Sequence, residues 1–136
     1  MSLTAKLLIS VGALFYILVI PLLEWNHSHV FNPQWPPHAR FHEVWQLFTH
    51  ITLGMIVLWL VWLRGQILLP ALISCCVMSG VVFSHILSPF VGASVRSGNL
   101  TKHFLGFDLA VIVASLVVVM SLVSILFARK KGNLTL

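Results

Sequence analysis

Four apolar stretches, each close to the roughly 20 helical residues that cross a hydrocarbon layer ~30 Å thick, run from about Leu3 to Leu23, Val44 to Leu63, Gln66 to Leu87 and Phe104 to Ala128. Hydrophobic residues fill 59% of the 136 positions and charged residues 8%, which leaves too little polar surface for a soluble domain. In lipid only helices and closed barrels satisfy their own backbone. Barrel strands would alternate in polarity over segments of about ten residues, and no stretch of this sequence does so. The expected fold is therefore all-α: an integral-membrane, up-down four-helix bundle made by one domain, residues 1–136, with a proline-rich outer loop between helices 1 and 2.

The first span ends in Pro21-Leu22-Leu23-Glu24-Trp25 and offers no small-residue cleavage site, so it reads as a retained helix rather than a signal peptide. Cys75 and Cys76 are adjacent in the third span. That spacing allows neither disulfide geometry nor a CxxC metal site, and both read as small packing residues. Lys6, Arg64, Arg129, Lys130 and Lys131 fall on the side of the termini and the middle turn, against Arg40, Arg96 and Lys102 on the other. The excess predicts a multi-pass protein with cytoplasmic termini, in the inner membrane if the source is a bacterium. A net charge of +5 suits contact with anionic membrane lipid and calls for no nucleic acid.

All seven histidines and all three acidic residues fall near the opposite, outer end. Glu24 closes helix 1, and His27, His29 and His38 lie in or at the end of the first outer loop. His42 and Glu43 begin helix 2, His85 sits in the last turn of helix 3, His103 ends the second outer loop, and Asp108 is placed just over one turn into helix 4. His50 is deepest, about 12 Å below His42 at 1.5 Å per residue. Three prolines in Phe31-Asn32-Pro33-Gln34-Trp35-Pro36-Pro37 stiffen the loop, and Pro36-Pro37 suits a helix start that takes helix 2 back to about His38. Trp25, Trp35 and Trp45 suit an aromatic belt at headgroup level.

With that start, His38, His42, Gln46, Thr49 and His50 share a stripe about 120° wide. A polar stripe is costly in lipid, so it is expected to face the bundle interior or a water-filled cavity, with Glu43 beside its edge. His38 and His42 have the HxxxH spacing that lets two imidazoles hold one transition metal ion, with His85, His103 and a carboxylate as further candidate ligands. Asp108, a carboxylate inside a span, needs a partner; His85, Arg40 and Lys102 are the candidates. Small residues repeat every fourth position at Cys76, Gly80, Ser84 and Ser88, and again at Gly106, Ala110 and Ala114, so helices 3 and 4 are expected to pack along these stripes. The pocket is expected between helices 2, 3 and 4. So small an apolar bundle is also a candidate homodimer.

The run Asn26-His27-Ser28-His29-Val30-Phe31-Asn32-Pro33-Gln34-Trp35-Pro36-Pro37-His38-Ala39-Arg40-Phe41-His42 resembles the signature loop of a group of small four-helix membrane proteins of uncharacterised function. The resemblance implies the fold and the membrane location, and marks His29, Asn32, Trp35, His38, Arg40 and His42 as the positions carrying the motif.

Three functions follow as expectations. One is a membrane enzyme or binding protein for a lipid-soluble small molecule, with His38, His42 and Asp108 moving protons, Glu43 beside them, and Arg40 holding a carbonyl or anionic head. Another is a transition-metal site using His38, His42, His85 or His103 with Glu43 or Asp108. The third is a structural subunit of a larger membrane complex. No GxGxxG or GxxxxGK[ST] loop supports a nucleotide cofactor, and the inner half carries no polar path for a channel or transporter. Asn99-Leu100-Thr101 fits the glycan acceptor pattern, which matters only in a eukaryotic secretory setting.

Overall fold

The structure, a computed structural model, describes residues 2–96, 103–104 and 106–130. Four of its helices are long and apolar enough to cross a membrane: α1 (Leu3–Glu24), α2 (Pro37–Trp62), α3 (Leu68–Val91) and α4 (Leu109–Lys130). Helix α1 packs against α2 and α4, and α3 packs against the same two, so the four close into a bundle. One end carries the 25–36 loop and a short hairpin. The other carries the 63–67 turn, where Gly65 takes φ 69°.

Helix α1 starts at Ser2, whose hydroxyl accepts from the Ala5 amide at 3.4 Å. Ala5, Ile9, Gly12, Ala13 and Tyr16 form its buried stripe, at the three- and four-residue spacing of one helix face. Pro21 has no N–H and its ring crowds the carbonyl a turn earlier. Ahead of it the helix widens into a π-turn over Phe15–Val19, with the Ile20 amide bonded to the Phe15 carbonyl.

Gly54 sets the closest approach of α2 to α1. A Cβ built there would collide with the Ile17 side chain and stand 2.9 Å from the Tyr16 ring. Tyr16 itself is fully buried and its hydroxyl is hydrogen-bonded to Ser74 Oγ of α3 at 2.9 Å. Three helices thus meet around one phenol.

Helix α3 runs to Val91, four residues past the expected Leu87, and includes Pro89. The carbonyl that Pro89 cannot serve belongs to His85, and the Ser88 hydroxyl donates to it at 2.8 Å. Gly92 in the left-handed region then ends the helix, with the Ala93 amide bonded to the Ser88 carbonyl. Helix α4 begins later than the expected Phe104. His103–Phe104 and Phe107–Asp108 form a two-stranded antiparallel hairpin, Phe104 opposite Phe107, and Gly106 turns it at φ 83°. Asp108 therefore stands immediately before α4, where aspartate is favoured, rather than a turn inside it.

The interface between α3 and α4 also differs from expectation. The two helices do pack together, but α3 buries Ala71, Ser74 and Met78, while Cys76, Gly80 and Ser84 face outward. Helix α4 buries Ala114, Val117, Ser121, Ser124, Ile125 and Ala128. Volume decided this: a methionine and Pro70 fill the core, and the small stripe, displaced from them by about 100° per residue, is left outside.

These contacts predict a contrast. Gly54→Ala should lose about 1–3 kcal/mol from overpacking, seen as a lower thermal midpoint in detergent. Gly80→Ala, which meets nothing within 4 Å, should change stability by no more than about 0.5 kcal/mol or raise it slightly. Equal effects would contradict the packing.

Candidate functional site at the loop end

Asparagine side chains fold the loop between α1 and α2. Asn26 donates to the Leu23 carbonyl at 2.5 Å and accepts from the Ser28 amide at 2.7 Å and the Ser28 hydroxyl at 2.6 Å. Asn32 donates to the Ser28 carbonyl at 3.1 Å and accepts from the Gln34 amide at 3.0 Å. Such short side chains replace missing backbone partners in turns. The loop folds back over the ends of α1 and α2, and the Val30 amide reaches the Glu24 carbonyl at 3.3 Å.

Beneath it lies a cluster that the sequence only outlined. The carboxyl groups of Glu24, at the end of α1, and Glu43, in the second turn of α2, lie close enough to interact directly. His29, only 5% exposed, lies within the electrostatic reach of Glu43. Its Nδ1 is 2.8 Å from the Ser28 hydroxyl, and its ring meets Trp35 edge-on with centroids 5.7 Å apart. Burial holds the His29 imidazole below the usual histidine range, with the Glu43 charge acting the other way. Oε2 of Glu24, Oε1 of Glu43 and Nε of Arg40 are buried without a hydrogen-bond partner among the described residues.

The stripe on α2 turns out to face away from the bundle. His38, His42, Gln46 and Thr49 are exposed and His50 is half-buried. Helix α2 presents Leu47, Gly54, Val57 and Val61 to its neighbours, and Gly54 against Ile17 fixes that rotation. Nε2 of His38 and Nε2 of His42 are 3.0 Å apart. Below them an open groove of about 300 Å³ is lined by His42, Trp45, Gln46, Thr49 and His50. Thr49 donates to the Trp45 carbonyl at 2.9 Å, and the His50 ring meets Tyr16 edge-on at 6.4 Å. Nδ1 of His50 is buried without a partner among the described residues.

Arg40, Glu43, His38 and His42 therefore share the first turns of α2. Asp108 is elsewhere: buried at the hairpin–α4 junction, it accepts from Arg96 Nε at 2.9 Å, a partner not among the expected three, of which Lys102 lies outside the described residues. His85 is half-buried on α3. No three His, Cys, Asp or Glu side chains form a metal-holding group among the described residues, so His85 does not join His38 and His42. The side chain of His103 lies outside the described part. The groove lies on α2 alone rather than between helices 2, 3 and 4. Glu24 and His29 were legible as polar residues near this end, but their meeting with Glu43 depends on how the loop folds.

Compared with protein-family models, curated proteins and solved structures, the chain matches none.

His29 gives this site a pH signature. Its folded-state affinity for protons lies below that of the unfolded chain, near 6.5. On acidification the unfolded state binds the proton first, so stability is full above about pH 6.5 and falls as the pH drops through the window beneath it. His29→Gln should flatten that part of the curve of thermal midpoint against pH. A wild-type slope retained in the variant would rule His29 out as its source.

Proposed function

We propose that the chain is a multi-pass membrane protein, termini cytoplasmic, that binds a lipid-soluble small molecule at the outer leaflet and handles a proton on it. The observation that carries this is the outward-facing groove on α2. With the helix end near Trp62 at one interface, about 20 residues of hydrocarbon thickness place Gln46, Thr49 and His50 inside the apolar layer. Lipid chains offer those side chains no hydrogen bond, and each unpaired polar group costs about 1–3 kcal/mol. A molecule with an apolar body and a carbonyl or hydroxyl head answers that need. Its body lies against Trp45, and its head meets Gln46 and His50.

Chemistry in this reading belongs to the groups just above the groove. His42 stands at its mouth, and the Glu24 and Glu43 carboxyls are the further acid–base groups. Arg40, with a buried unpaired Nε, is placed on the same turns of α2 to hold an anionic or carbonyl oxygen. Imidazoles and carboxyls are the usual groups of general acid–base catalysis. Asp108 plays a structural part, tying the 96–108 segment to the start of α4.

Organic extracts of protein purified in mild detergent should contain one species enriched over a mock preparation and near-stoichiometric with the chain. His50→Ala and Gln46→Leu should each reduce its recovery about tenfold, the loss of one hydrogen bond to the head. If extracts show only bulk lipid, or both variants retain the species fully, the reading fails.

A further inference from the structure

The His38 and His42 rings stand at 84° with centroids 4.5 Å apart, and their Nε2 atoms converge to 3.0 Å. From this geometry we infer that the pair is a bidentate chelate for a divalent late transition metal of the copper or nickel kind. The inference shares His42 with the groove but does not require the groove's ligand.

The separation is compatible with a chelate, and the affinity order favours the late metals. Two nitrogens 3.0 Å apart subtend roughly 91–97° at an ion 2.0–2.1 Å from each. That is the angle between neighbouring ligands in a square-planar or octahedral complex, the geometries of Cu²⁺ and Ni²⁺. A tetrahedral ion such as Zn²⁺ wants about 109°, which at the same bond lengths needs a gap of about 3.3–3.4 Å. Intrinsic affinity runs the same way, with Cu²⁺ above both Ni²⁺ and Zn²⁺.

The protein also prepares the ligands. In the pair as it stands, one ring donates its Nε2–H to the lone pair of the other. Binding requires that the donor ring move its proton to Nδ1 and that both rings swing so that their Nε2 lone pairs turn from the N···N line toward the ion. Both side chains are exposed, so the incoming charge keeps its contact with water and meets little desolvation cost. The ring of Trp45 stacks on His42 at 5.6 Å and that of Phe41 lies parallel to His38 at 6.5 Å, which restricts the rotamers a chelate would otherwise have to freeze. Since no third His, Cys, Asp or Glu completes a cluster among the described residues, water fills the other positions, and the ion is exchangeable.

The test uses the full-length chain in detergent without a polyhistidine tag. Cu²⁺, Ni²⁺ and Zn²⁺ are titrated separately by calorimetry in a weakly coordinating buffer, and the copper form is examined by electron paramagnetic resonance. One Cu²⁺ or Ni²⁺ per chain is expected, each tighter than Zn²⁺, with the copper signal split by two nitrogens. His38→Ala and His42→Ala should each weaken binding about 100-fold, the advantage of two tethered ligands over one. His42→Gln, which can keep a hydrogen bond to His38, should lose the metal to the same degree while helicity is retained. His27→Ala should leave binding unchanged. Binding that survives in His42→Gln, depends on His27, or favours Zn²⁺ over Cu²⁺ and Ni²⁺ would overturn the assignment.

Discussion

The phenol of Tyr16 decides how this bundle is assembled. It sits fully buried on α1 with its hydroxyl bonded to Ser74 of α3 and its ring in the notch that Gly54 leaves on α2. A buried hydroxyl needs its hydrogen bond, and a ring that size fits only where the facing residue has no side chain. Together these requirements fix the rotation and height of three helices. The face that α2 turns inward at Gly54 is the same face that carries Glu43 toward Glu24, and the opposite flank carries His38, His42 and Gln46 outward. Where the polar groups end up follows from a packing event about two to four turns away.

Seen this way, the loop end contains two chemistries divided by the rotation of one helix. Facing inward, Glu24, Glu43 and His29 gather under a loop that asparagine side chains hold closed. Facing outward, the imidazoles and the amide of Gln46 stand where a membrane would offer them little. The inward cluster is the more covered of the two, whereas the outward set is accessible. Arg40 and His42 lie at the boundary, two residues apart on α2, and His42 belongs to both the groove and the imidazole pair.

Departures from the helical pattern are confined to places where proline or glycine removes a regular option. Pro21 is met by a π-turn and Pro89 by the Ser88 hydroxyl, and Gly106 turns a hairpin where hydropathy alone continues a helix. The last of these moved Asp108 from inside a span to its threshold, beside Arg96. Hydropathy could not have shown it, because Phe104, Leu105 and Phe107 are as apolar as the helix that follows.

Composition and spacing alone determined that the chain forms four helices of membrane-crossing length, that the first two are joined by a proline-rich loop, and that its histidines and acidic residues fall toward one end. Those features rest on local chemistry: the length of apolar runs, the restricted φ of proline, and the need of every backbone group for a partner. The tertiary structure decided which side of each helix is inside. An α-helical stripe of polar residues at His38, His42, Gln46 and Thr49 looks the same in sequence whether it lines a core or faces out. The choice was made by volume, with Gly54 and Ala71 admitting large neighbours and Tyr16, Leu47 and Met78 filling the space. The pairing of Glu24 with Glu43 likewise required two helix ends brought together, a property of the folded chain rather than of either segment.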